Sequence, residues 1–177
     1  MSVIKAKRDP SPFEVLHHAL DVRRMVTDGL LRNFGYRRRE IKTPSNFSEW
    51  SKESQDAWME KQRSNLEKLE AFDKWYIESM RDTILHSLQQ MIASISMANS
   101  IYPTTMEECN ERRLFQDRAI GYCHILMQEL QYVIETLPVN VEKYAPYGDA
   151  ISSEINLLKG WRKSDNKVRR KLAENKP

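Results

Sequence analysis

The sequence predicts an all-α protein, an antiparallel up-down four-helix bundle with an inserted arm between helices 1 and 2. Three observations carry this prediction. Apolar residues step by three and four over long stretches. Tight turns at 102–104 and 138–140, each containing a proline, separate the longest of them, and helices joined so closely lie antiparallel. Only 5 glycines occur in 177 residues, and no strand alternation, internal repeat or low-complexity tract competes. One domain over residues 1–172 accommodates the length, because a chain of this size buries roughly 70% of its extended surface without needing a metal or a disulfide.

Helix 1 is expected from about Pro12 to Phe34. Ser11 suits its N-cap and Pro12 its first position. Val15, Ala19, Val22, Val26 and Leu30 form the apolar stripe, which Phe13, Leu16 and Leu20 widen. Gly35 suits its stop. Residues 35–65 are polar, with scattered Phe47, Trp50 and Trp58. They read as a basic loop through Pro44 and then a short helix from about Ser48 to Lys61, capped by Ser45 or Ser48. The stretch is too long for a simple bundle connection, hence the inserted arm.

Helix 2 is expected from about Asn65 to Ile101. Its seam is Ile77, Met80, Ile84, Leu88, Met91, Ile95, Ala98 and Tyr102, a sustained bundle pattern. Pro103 stops it. Thr104 with Glu107, or Thr105 with Glu108, then makes a capping box. Helix 3 is expected from about Thr105 to Leu137, with Ile120, Cys123, Met127, Leu130, Ile134 and Leu137 in one row. Phe115, Ala119, Tyr122, Leu126 and Val133 form a second row beside it. Two rows suit either a helix central to its own bundle or one that also packs on another subunit. Helix 4 follows from Asn140, its cap, to Lys163. Pro146 disturbs its first turns, and Ile151, Ile155, Leu158 and Trp161 face inward. Residues 164–177 form a basic, partly flexible tail.

Charge is segregated along the chain. Residues 1–45 carry a net charge of +5, residues 46–158 carry −8 and residues 159–177 carry +6, within a total of +3. Such asymmetry marks either a surface for nucleic acid or another acidic partner, or simply a solvated tail. No run of 18 apolar residues occurs, so no membrane span is expected. The opening MSVIKAKRDPSPFEV lacks the apolar stretch of a signal peptide. Cys109 and Cys123 lie about 21 Å apart on one helix, too far for a bridge. A reducing, cytoplasmic setting follows as an expectation.

Catalytic and metal chemistry find little footing. Di-iron bundles need two Glu-x-x-His pairs, and only Glu14 with His17 fits. Cys123 and His124 point about 100° apart on a helix, so they do not form a nucleophile–base pair. Cys123 sits in the apolar row and reads as a small core residue. No P-loop, nucleophile elbow or zinc pattern occurs. No catalytic residue, metal or cofactor is therefore assigned.

The basic groups are the better candidates. Arg37, Arg38, Arg39 and Lys42 follow helix 1, beside a Tyr36 that can stack on a base or pack on the bundle. Arg162, Lys163, Lys167, Arg169, Arg170 and Lys171 follow Trp161. Such cations hold phosphates by Coulomb attraction and counterion release. Arg112, Arg113 and Arg118 are either a third group or partners in intrahelical ion pairs with Glu107, Glu108, Glu111 and Asp117.

The stretch ERRLFQDRAIGYCHILMQELQYVIETLPVNVEKY, followed by EINLLKGWRKSDNKVRRKL, resembles small four-helix-bundle proteins. Among these it is most similar to the Avd-like family, the accessory variability determinants of diversity-generating retroelements. Gly160-Trp161 before a basic end is the most telling part. The resemblance covers helix 1 loosely and residues 66–172 better, while the arm at 35–65 departs from the compact family pattern. It implies a homopentameric barrel of bundles that binds a reverse transcriptase and the retroelement template RNA. It further implies a non-catalytic scaffold for adenine-mutagenic cDNA synthesis and mutagenic retrohoming. In that setting Gly160, Trp161, Phe115, Tyr122 and Leu126 are anchors for packing or for oligomer contact. The alternatives are a bundle protein of the rRNA intervening-sequence type, and a helical enzyme or protein–protein adaptor with no RNA role.

Overall fold

The computed structural model describes residues 12–174. The expected Ser11 cap lies outside them. Four α-helices occur among these residues: α1 over Pro12–Met25, α2 over Lys52–Ser100, α3 over Met106–Thr136 and α4 over Ala145–Glu174. Helix α2 packs on α3, α3 on α4, and α1 on both α4 and α2. The result is an all-α bundle around one core.

That core is built from the steps of three and four visible in the sequence. Val15, Ala19, Val22, Val26 and Leu30 are buried, as are Met80 to Ala98 of the second seam and Ile151, Ile155, Leu158 and Trp161 of the fourth. On α3 the buried line is Ala119, Cys123, Leu126, Leu130, Val133 and Leu137, with Ile120 beside it. It therefore draws on both expected rows, while Phe115, Tyr122, Met127 and Ile134 pack half-buried along its edges. Phe13, Leu20 and Tyr102 are exposed. Phe13 and Leu20 overshoot the stripe because a helix turns only about 100° of its surface to the core, and Tyr102 lies past the end of α2.

Helix boundaries differ from expectation at three places. Helix 1 leaves α geometry after Met25, widens into a π turn over Val26–Leu30 and closes with Leu31 N–H donating to the Val26 carbonyl. Phe34 and Gly35 then both take positive φ, 53° and 66°. A phenylalanine pays strain there. Its ring is fully buried, and the buried Tyr144 hydroxyl donates to its carbonyl at 2.7 Å.

Helix 2 begins at Lys52, not near Asn65. Its N-cap is Ser51, whose hydroxyl accepts from the Ser54 N–H, in place of Ser45 or Ser48. The helix runs 49 residues, about 73 Å at about 1.5 Å per residue. Residues 36–50 contain one 3-10 turn at Phe47–Glu49. This stretch lies against α2, held by Arg39 on Asp73, Arg38 on Glu70 and the Gln55 amide on the Phe47 and Trp50 carbonyls. Phe47, Trp50 and Trp58 form a ring cluster with centroids 5.1–6.2 Å apart.

Before helix 4, Asn140 opens a 3-10 turn, Val141–Lys143, without a side-chain cap bond. Pro146 sits harmlessly in the first turn of α4, where no N–H is required. The helix passes Lys163 and continues to Glu174, so residues 164–174 are its last turns. The capping box at α3 is formed by Thr105 and Glu108. Thr104 also donates to Glu108, and these bonds hold the Glu108 carboxyl below its usual range.

Candidate nucleic-acid interface

The ten cations singled out in the sequence divide into three groups. Arg39 is consumed by structure. Its Nε and Nη2 donate to the two Asp73 oxygens at 2.6 and 2.9 Å. Asp73 is buried and also accepts from the Tyr36 hydroxyl at 3.0 Å. The Asp73 bond raises the Arg39 pKa, and burial, then that bond, raises the Tyr36 pKa. Arg162 is likewise engaged, on Asp117 of α3. Arg38 meets Glu70 at 3.2 Å in an exposed pair, which holds it weakly.

Arg37 and Lys42 are exposed in the connection that leads to α2. The remaining cations lie on α4. At about 100° per residue, Lys163, Lys167, Arg170 and Lys171 share one face with Lys159, opposite the buried Leu158 and Trp161. Five cations thus line about 18 Å of one helix, and all five are exposed. Arg169 is exposed on the flank nearer α3. Lys159 was missed in the sequence reading, although its spacing of four from Lys163 is the same signal.

Arg113 makes the expected intrahelical pair with Asp117 at 3.8 Å, whereas Arg112 pairs with no acid of its own helix. They clamp α3 to α4. Arg112 Nε lies 2.8 Å from Asp165, its Nη1 donates to the Ile101 carbonyl at 3.0 Å, and its guanidinium sits 5.1 Å over the Trp161 ring. Arg113 donates to Asn166 and Gln116 to Asp165. Trp161 is thus a core anchor of this chain, and so is Leu126. Gly160 is half-buried one residue earlier. Arg118 lies 5.4 Å over the half-buried Phe115 ring.

One buried titratable group has no counterpart in the sequence reading. Glu154 of α4 is fully buried, its Oε2 2.6 Å from His18 Nδ1 while Oε1 has no partner among the described residues. Burial pushes its carboxyl up to about 8. Cys123 is buried 3.3 Å from the Met91 sulfur, and burial pushes its thiol up. Both cysteines are free. Among the described residues no group of His, Cys, Asp or Glu is arranged to hold a metal ion, and Glu14 and His17 gather no further ligand. No helix among the described residues is long and apolar enough to cross a membrane.

Comparison with protein-family models finds no match. Comparison with curated proteins and with solved structures finds none either.

Proposed function

We propose that this protein is a non-catalytic accessory factor of a diversity-generating retroelement, binding template RNA and the reverse transcriptase. The observation that carries the RNA half is the cationic face of α4, from Lys159 to Lys171. A rigid row of solvent-facing cations opposite a packed core matches a polyanion backbone without reading its bases. The retroelement half and the polymerase partner rest on the resemblance of α3 and α4 to Avd-like proteins.

In this reading the helices run up and down in antiparallel order, with residues 36–51 as the inserted arm. Alternation of neighbours supports that order: the chain following the first helix meets Asp73 of α2 through Arg39 and Tyr144 before α4 through Phe34, while Ile101, just past α2, meets Arg112 near the start of α3. The protein acts as a homo-oligomer in the cytoplasm, a pentamer by resemblance. Leu114, Ile125 and Tyr132 support subunit contact. They are exposed on one face of α3, away from its core line, with nothing near the open Gly121 between them. Several copies of the α4 face then act together through effective concentration.

The Arg169, Arg170 and Lys171 to Ala triple variant is expected to bind RNA about tenfold more weakly and to flatten the salt dependence of log K by about two to three phosphate contacts. An unchanged salt slope in a filter-binding titration sinks the assignment. Co-purification with a reverse transcriptase encoded beside the gene tests the partner. Light scattering at micromolar concentration is expected to give a multiple of the 20.9 kDa chain mass, and Ile125→Glu to reduce it. A monomeric wild type removes the oligomer from the proposal.

A further inference from the structure

The chain just after the π turn, the residues that follow it to Arg38, and α2 line an open groove of about 590 Å³. This lies within the range of small-molecule sites, about 300–1,000 Å³, and exceeds what a lone phosphate fills. Tyr36 and Ile77 provide apolar wall, and Arg32, Arg38, Lys74 and Arg81 provide cations. Only Glu70 and Glu78 oppose them there, leaving a surplus of two positive charges on the lining.

The groove is built rather than incidental. Tyr36 is held by its hydroxyl bond to Asp73. Arg81 is fixed by donating to the Leu31 and Arg32 carbonyls, both at 2.7 Å, which satisfies the open end of the first helix. Arg32 and Lys74 are exposed, and neither side chain has a polar partner among the described residues. Arg37, also exposed, extends positive charge along the adjoining chain.

We propose that this groove takes one unstacked nucleotide of a single-stranded RNA, with its phosphates on Arg32 and Lys74 and its base against Tyr36 and Ile77. The chemistry is that of single-strand binders, in which an aromatic face receives a base and flanking cations follow the backbone. An acidic peptide satisfies the charges but leaves the Tyr36–Ile77 wall without use. The inference deepens the RNA reading above and rests on it. It places a base-accepting subsite toward the Phe34–Tyr144 end of the bundle, whereas the cationic face of α4 runs toward the Arg112–Asp165 end.

The test uses the full chain with carbon-13-labelled methyl groups, Ile77 being the internal reporter. Adenosine monophosphate is expected to shift the Ile77 methyl signals, whereas inorganic phosphate at equal concentration leaves them in place. The Arg32→Ala, Lys74→Ala double variant alters exposed side chains only. It is expected to abolish that shift and to weaken binding of a short single-stranded RNA by about tenfold. The triple variant at the end of α4 is expected to keep the Ile77 shift. An unmoved Ile77 in wild type that still binds RNA overturns the groove and leaves the α4 reading intact. Equal displacement of the RNA from the groove by polyglutamate also overturns it. Entry of the mononucleotide into a wild type that binds no RNA overturns the RNA assignment of both sites.

Discussion

Asp73→Ala is expected to destabilise the fold by about 2–4 kcal/mol, because it strands the guanidinium of Arg39 and the hydroxyl of Tyr36 together. Asp73 is 1% exposed and receives three hydrogen bonds from Tyr36 and Arg39, in the segment that precedes α2. Arg39 retains partial access to water, which keeps the cost below that of a fully buried pair. For a chain of this length the loss corresponds to a fall in Tm of about 6–12 °C. The arm is also expected to loosen, so trypsin cuts faster at Arg37 to Lys42. Glu70→Ala is the control. It removes the exposed partner of Arg38 and costs about 0.5 kcal/mol or less. An Asp73→Ala protein that melts with wild type and resists trypsin equally shows that the arm is held by something else.

Asp73 also shows where sequence reading stops. It stands seven residues before Met80 and three before Tyr76, on the core face of α2, yet an aspartate in a polar stretch reads as solvated. Its partners are 34 and 37 positions away, and periodicity contains no information about them. The same limit hid the fates of Arg112 and Arg162, which pair with α4 and α3 across the chain. What periodicity does carry is the core. The rows on all four helices are long, and each repeats the face that the next confirms.

The start of α2 failed for a different reason. Between Lys52 and Leu66 only Ala57, Trp58 and Met59 are apolar, too few to show a period. Helix propensity and the Ser51 cap extend the helix there, and the rings of Phe47 and Trp50 cover Trp58. Residues 164–174 read as a tail because they are charged. Yet Asp165 and Asn166 hold them to α3, and Lys and Arg are good helix formers. The candidate RNA face was thus legible as composition but not as geometry. Only the helical continuation turns scattered cations into an aligned row.

Glu154 is expected to make stability depend on pH. The folded carboxyl keeps its proton up to about 8 because burial disfavours the anion, whereas an unfolded glutamate releases it near about 4.3. Between those values the folded state binds more protons than the unfolded one. The stabilisation is therefore complete below about 4.3 and is lost as pH rises through about 8. Between pH 5 and 9 wild type is expected to lose about 2–4 kcal/mol more than Glu154→Gln, whose amide fills the same space and never ionises. Urea unfolding of both proteins at pH 5, 7 and 9 measures the difference directly. The variant is expected to be the more stable at pH 9 and close to wild type at pH 5. Parallel profiles would mean that His18 and its surroundings already hold the anion at full strength, and that α4 carries a paired charge in its core rather than a proton.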